Sequence, residues 1–169
     1  MLIQGAKIRM KNNLISVFTD GACSNNPGGP GGWAATLNFS DRYDVISGYS
    51  LSTTNNRMEL TAVVEAIKHL KNKGYTNIII NSDSAYVVNA INKRWIYNWA
   101  QNGWKTKTNS SLANSDLWNE LYNYIINKVM TIQFVKVAGH TGDTFNEIAD
   151  EEAKKEVEHA KRILSTRQW

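Results

Sequence analysis

The sequence predicts an α/β fold: a five-stranded mixed sheet, a three-strand antiparallel meander plus parallel strands, flanked by helices. Three observations predict it. Three strand-like runs come first, with only turns between them. An amphipathic helix follows, so the next apolar run returns across it and lies parallel to the first strand. Helical stretches then alternate with a last strand, the pattern of a layered α/β domain.

The first strand is Leu14-Ile15-Ser16-Val17-Phe18-Thr19-Asp20-Gly21. Its β-branched and aromatic residues read as buried, and the Gly- and Pro-rich run Cys23 to Gly32 forces it to stop. Asp20 therefore sits at the sheet rim, although Asp-Gly is also a common turn pair. Trp33 to Phe39 and Val45 to Leu51 are the next two strands, joined through Ser40-Asp41-Arg42. A helix then opens at Thr53 to Leu60 and runs to about Gly74, with Leu60, Val63, Val64, Ile67 and Leu70 on one face. Glu59, three positions after Asn56, fits a capping-box acid of the first turn.

Asn77 to Asp83 is a fourth strand, again ending on an acid, and Ser84 starts another helix. Asp83 could serve simply as its N-cap. Two parallel neighbours ending on Asp would instead put both carboxylates at the carboxyl edge of one sheet, where open α/β sheets bind ligands. Lys93 to Thr108 holds Trp95, Trp99 and Trp104 among Lys93, Arg94, Lys105 and Lys107. Such indoles either pack a short helix onto the body or meet sugars, bases and phosphates. Asp116 to Ile126 is a helix, Thr131 to Val137 the fifth strand, and Phe145 to Leu164 the last helix. Asp150 lies inside it, four residues before Lys154, as an ordinary i,i+4 ion pair would require.

The 169 residues suit one domain, expected over 14–164, with a short frayed extension at 1–13 and a tail at 165–169. The hydrophobic share of 42% and charged share of 20% are those of a globular chain. No apolar run approaches a membrane span or a signal-peptide core, so no membrane partner is expected. A single cysteine, Cys23, excludes an intrachain disulfide and suits a cytoplasmic location. The net charge of +4 permits a polyanionic partner. A monomer is the simplest expectation.

Asp20, Glu59, Asp83 and Asp150 come from elements that can converge on one sheet edge. Four carboxylates so placed would raise one another's pKa unless cations neutralise them. Oxygen-only ligands select hard Mg²⁺ or Mn²⁺ over zinc.

The strings Thr19-Asp20-Gly21, Thr53 to Leu60, Ser82-Asp83-Ser84 with Tyr86, and Gly139-His140 followed by Asn146-Glu147 and Asp150 resemble type 1 ribonuclease H in its bacterial form. The resemblance spans roughly Leu14 to Ala160 and implies the ribonuclease H-like fold, including a handle helix that carries tryptophan. It implies an endonuclease that cuts the RNA strand of an RNA–DNA hybrid, leaving 5′-phosphate and 3′-hydroxyl ends. Asp20, Glu59, Asp83 and Asp150 would hold two Mg²⁺ ions when substrate is bound, with Mn²⁺ as a substitute. His140 would assist proton movement or product release. Asn26, Asn55 and Asn56 would meet the RNA minor groove; Thr54, Asn114 and Asn26 would grip a DNA phosphate; Trp95 and Trp99 would line a channel for DNA sugars.

Two features depart from the family pattern. Ala85 stands where bacterial relatives often carry Gln, which removes a minor-groove hydrogen bond. Ala100-Gln101-Asn102-Gly103 is uncharged where the handle is often basic, which points to weaker substrate affinity. The alternative function is another metal-dependent nuclease or strand transferase on the same fold, which would need neither Thr54-Asn55-Asn56 nor the Trp handle. A hybrid-binding protein without catalysis would gain nothing from clustering acids against phosphates.

Overall fold

The computed structural model describes residues 11–139 and 142–167. Its elements are β1 (Lys11–Cys23), β2 (Gly31–Asn38), β3 (Tyr43–Ser50), α1 (Asn55–Asn72), β4 (Tyr75–Ser82), α2 (Ala85–Asn92), α3 (Trp95–Gln101), α4 (Ser115–Ile126), β5 (Thr131–Lys136) and α5 (Thr144–Thr166). The five strands form one sheet in the order β3-β2-β1-β4-β5. β1, β2 and β3 pair antiparallel, whereas β1–β4 and β4–β5 are parallel, as the intervening helices require.

Side chains alternate across the sheet, so β1 serves two layers at once. Ile15 and Val17 join Leu37, Ile78 and Ile80 beneath the apolar stripe of α1, and all five are fully buried. Burying each such aliphatic side chain is worth about 1.5–3 kcal/mol, which fixes α1 to that face. The opposite face takes α5 through small residues: Ala149, Ala153 and Ala160 are fully buried. A Cβ at Gly32 would overlap the Ala153 carbonyl, so the glycine sets how closely α5 approaches β2.

Several ends lie beyond the expected boundaries: β1 does not stop at Asp20 but runs on to Cys23, because Ala22 and Cys23 pair with Gly32 and Gly31 at an earlier start of β2. β1 begins at Lys11, inside the stretch expected to fray, because Lys11 N–H donates to the Gly74 carbonyl (2.7 Å) and Thr76 Oγ1 donates to the Lys11 carbonyl (3.1 Å). Backbone pairing of this kind leaves no hydrophobic pattern to read. α5 continues to Thr166, two residues past Leu164. The remainder of the expected extension, Met1 to Met10, lies outside the described residues, as do Gln168 and Trp169.

Candidate active site

The register of β1 against β4 brings the first two acids together. Phe18 pairs with Asn81 in the parallel ladder, and Asp20 and Asp83 each stand two residues further on. With a side-chain period of two, both carboxylates leave on the same face at the same level. Glu59 reaches them from α1, across the sheet rim. Gly21 permits this, because a Cβ there would overlap the backbone of Met58 and Glu59.

Carboxylate oxygens of Asp20, Glu59 and Asp83 all lie within 4.8 Å of one another. The three line an open cleft of about 500 Å³ together with Asp150 from α5. Asp20 Oδ1 accepts from the Gly21 N–H at 2.9 Å. Burial, a hydrogen bond to Asp150 and the charge of Asp83 push the Asp20 carboxyl up to about 7. Burial, then the charges of Asp20 and Asp83, push Glu59 up to about 10. Glu59 Oε2 is buried without a hydrogen-bond partner among the described residues. A cluster that resists ionisation and holds an orphaned acceptor is suited to a cation. Its donors are all hard oxygens, so the residues fit Mg²⁺ or Mn²⁺.

The capping roles open to two of these acids fall to other residues. Thr54, not Asn56, caps α1, its Oγ1 accepting from the Arg57 N–H at 3.1 Å. Glu59 is therefore five positions past the cap, and the first turn holds no acid. In a run of four consecutive capping residues, composition alone does not choose among them. Ser84, not Asp83, caps α2 by accepting from the Val87 N–H. Asp150 combines both of its readings: Lys154 Nζ donates to its Oδ2 at 2.8 Å, and it lines the acidic cleft. His140 lies outside the described residues.

A second cleft, about 460 Å³, adjoins the first and shares Asn55, Asn56 and Tyr86 with it. It adds Asn26, Thr54 and Asn114, so the expected substrate contacts of the turn, of the start of α1 and of the approach to α4 meet in one place. The turn is docked by Gly28 N–H to the Thr53 carbonyl and Thr53 N–H to the Gly29 carbonyl. Asn26 Oδ1 accepts from the Asn55 N–H, and Asn55 Oδ1 accepts from the Cys23 N–H. Asn114 precedes α4 with φ 60°, a left-handed conformation that asparagine tolerates, and its side chain does not cap the helix.

Trp95 and Trp99 line a third cleft, about 340 Å³, with Lys105 and Lys107. Trp95 remains 41% exposed, whereas Trp99 packs on the fully buried Trp118, ring centroids 5.1 Å apart. The uncharged segment 100–103 is therefore not the whole handle. The Lys105–Ser111 bridge folds the next stretch back, and its two lysines restore positive charge beside the indoles.

Sequence reasoning missed Arg57 and Tyr86. Arg57 binds Asp116 through both guanidinium nitrogens, at 3.0 and 2.6 Å, and Nη1 also donates to Asn114 Oδ1 at 3.2 Å. The pair is too exposed to add much stability, but it orients Asn114. The only signal for either residue was its place inside a matched string.

The sheet order and the acidic rim define an α/β protein of the ribonuclease H-like fold with a metal-competent carboxylate cleft. The profile described as RNase H matches residues 12–158. The chain belongs to the RNase H family. It is 46% identical over 140 residues to "Ribonuclease H" of Caldicellulosiruptor saccharolyticus, covering 83% of this chain and 93% of that one. It is 43% identical over 144 residues to "Ribonuclease H" of Chlorobium luteolum, covering 85% and 95%. Among solved structures, LC9-RNase H1, a type 1 RNase H with the type 2 active-site motif, superposes with TM-score 0.75 at 27% identity, covering 90% of this chain and 75% of that one.

Proposed function

We propose that this protein is an endonuclease that hydrolyses the RNA strand of RNA–DNA hybrids. The observation that carries the reading is the convergence of Asp20, Glu59 and Asp83 within 4.8 Å, with Asp150 in the same cleft. The curated relatives named ribonuclease H support it. Two Mg²⁺ ions held by the four acids, or Mn²⁺ in their place, would supply an activated water and neutralise phosphodiester charge, giving 5′-phosphate and 3′-hydroxyl ends.

The chain's own residues divide the remaining work. Asp20, Glu59, Asp83 and Asp150 supply the anionic ligands. His140, a poor ligand for a hard cation, moves a proton or helps product leave. Asn26, Asn55 and Asn56 meet the minor groove, where amides distinguish a 2′-hydroxyl from its absence. Thr54, Asn114 and Asn26 grip a phosphate of the DNA strand, and Trp95 and Trp99 stack against its sugars.

The test is cleavage of a labelled hybrid, an RNA duplex and a DNA duplex in Mg²⁺, Mn²⁺ and chelator, with the product ends mapped. Hybrid cleavage alone, abolished by chelator, is the expected result. Cleavage of duplex DNA would move the protein to another nuclease or strand-transfer class. Hybrid binding with no metal-dependent cleavage would make it a binding protein.

A further inference from the structure

We propose that Phe145 is a positioning residue: its ring, seated between Phe18 and Tyr43, sets Asp150 opposite Asp20 and so completes the metal-holding acids. The inference deepens the proposed function and rests on it.

α5 meets the sheet largely through small side chains, with Ala149, Ala153 and Ala160 fully buried. A smooth surface of this kind lets a helix come close but supplies few ridges to fix where it lies along the strands. Two contacts remove that freedom. At one, Gly32 admits the Ala153 carbonyl and sets the approach of α5 to β2. At the other, Phe145 locks the first turn of α5. Its ring centroid lies 5.7 Å from that of Phe18 on β1 and 5.6 Å from that of Tyr43 on β3, the second contact edge-on. Its carbonyl accepts from the fully buried Thr36 Oγ1 on β2 at 3.1 Å. Asp143 Oδ1 accepts from the N–H groups of Phe145 and Asn146, which holds the start of the helix. One residue thus ties α5 to β1, β2 and β3.

Asp150 lies between the two contacts, five residues after Phe145 and three before Ala153. The strand side keeps step, because Phe18 and Asp20 are two residues apart and leave β1 on the same face. Two strand residues span about 7 Å and five helix residues about 7.5 Å, so the two elements agree in length there. Two pairs therefore join β1 to α5 in succession: the rings of Phe18 and Phe145, then the hydrogen-bonded carboxyls of Asp20 and Asp150. Hard cations need their oxygen ligands at short, defined distances, so a slip of α5 would take Asp150 out of reach. Repulsion among the acids favours such a slip, and the aromatic pair opposes it.

The test follows metal binding directly. Phe145→Ala removes the ring and leaves all four acids. Mn²⁺ binding to the free protein, read from the paramagnetic resonance of unbound ion, should weaken about 10-fold, the lower end for residues that support a ligand from behind. In an Asp150→Asn background the same change should weaken binding no further, because the ring acts through that carboxylate. Equal losses in both backgrounds overturn the proposal.

Phe39→Ala is the control for lost packing, since Phe39 is buried against Tyr75 just past the end of β2, ring centroids 5.2 Å apart. It should lower thermal stability and leave Mn²⁺ affinity unaltered; a matching loss of affinity would reduce the Phe145 effect to general destabilisation. If Phe145→Ala does not fold, Phe145→Leu keeps apolar volume without the ring and should show the same non-additivity. Turnover of saturating hybrid should fall at low Mg²⁺ and recover as Mg²⁺ is raised, with KM for the hybrid unchanged. Turnover that stays low at every Mg²⁺ concentration overturns the proposal. Should Asp150→Asn alone leave Mn²⁺ binding intact, the four-acid metal set of the proposed function fails, and this inference with it.

Discussion

Gly21 lies flat against the amide of Glu59, with no room for a Cβ between the rim of β1 and the first turns of α1. The close approach carries Glu59 to Asp20 and Asp83. Gly21→Ala should therefore push α1 away from the rim, costing about 1–3 kcal/mol as an overpacked site does. Hydrolysis of the hybrid should fall further than stability alone explains, because the acids lose their spacing. Denaturation midpoints and turnover measured on the same preparation check this, and an alanine variant with unaltered turnover would show that the spacing is not needed.

Asp20→Asn should abolish hydrolysis while the fold persists. Removing one negative charge from a repulsive cluster should leave metal-free stability equal or greater at neutral pH. Circular dichroism, chemical denaturation in chelator and a hybrid-cleavage assay give the three readouts. Near-normal turnover in Mg²⁺ would remove Asp20 from the metal ligands.

The metal-free protein should become less stable as pH rises. In the unfolded chain Asp20 and Glu59 titrate near 4, whereas folding raises them to about 7 and about 10. Their contribution is full below about pH 4, is lost between there and 7 through Asp20, and continues to fall toward 10 through Glu59. Denaturation in chelator across this range should slope downward for the wild type and less steeply for Asp20→Asn. Added Mg²⁺ should offset the loss and release protons. A flat wild-type profile in chelator would contradict the raised carboxyls.

The handle should contribute charge through Lys105 and Lys107. Replacing both with Ala should weaken hybrid binding at low salt and make the log–log salt slope shallower by up to about 0.9 for each phosphate no longer neutralised. Adding charge with Ala100→Lys and Gln101→Lys should do the reverse. Trp95→Ala should weaken binding at every salt concentration because stacking is removed, with less change in slope. Dissociation constants against salt on a cleavage-resistant hybrid separate the two effects. Unaltered affinity and slope in both lysine pairs would place the handle away from the nucleic acid.

The sheet, its mixed direction and the order of helices were legible because apolar runs and punctuating glycines mark them directly. The meeting of Asp20 and Asp83 at one sheet edge, with Glu59 and Asp150 brought in by helices, was legible; the close approach of α1 to Gly21 that sets their spacing was not. Capping by Thr54 and Ser84 was hidden, since Thr54-Asn55-Asn56 and Asp83-Ser84 each offer more than one residue able to cap. The role of Arg57 depends on Asp116 and Asn114, more than fifty residues away, and no local pattern encodes such a pairing. The lysines of the handle were legible beside its indoles in sequence, but where they sit was hidden for a related reason. Lys105 and Lys107 lie beyond the tight turn at Gly103, and only the folded return of that stretch brings them beside Trp95.

The pairing of Phe18 with Asn81 makes the chain intolerant of small length changes in two particular strands. One residue inserted before Asp83 within β4 would turn its carboxylate to the α1 side of the sheet; two would restore the side but carry it about 7 Å along the strand. A single insertion in β1 before Asp20 would have the corresponding effect. Descendants of this gene can therefore drift in length through the turns and the handle loop, while β1 and β4 can gain or lose residues only at the cost of the reaction.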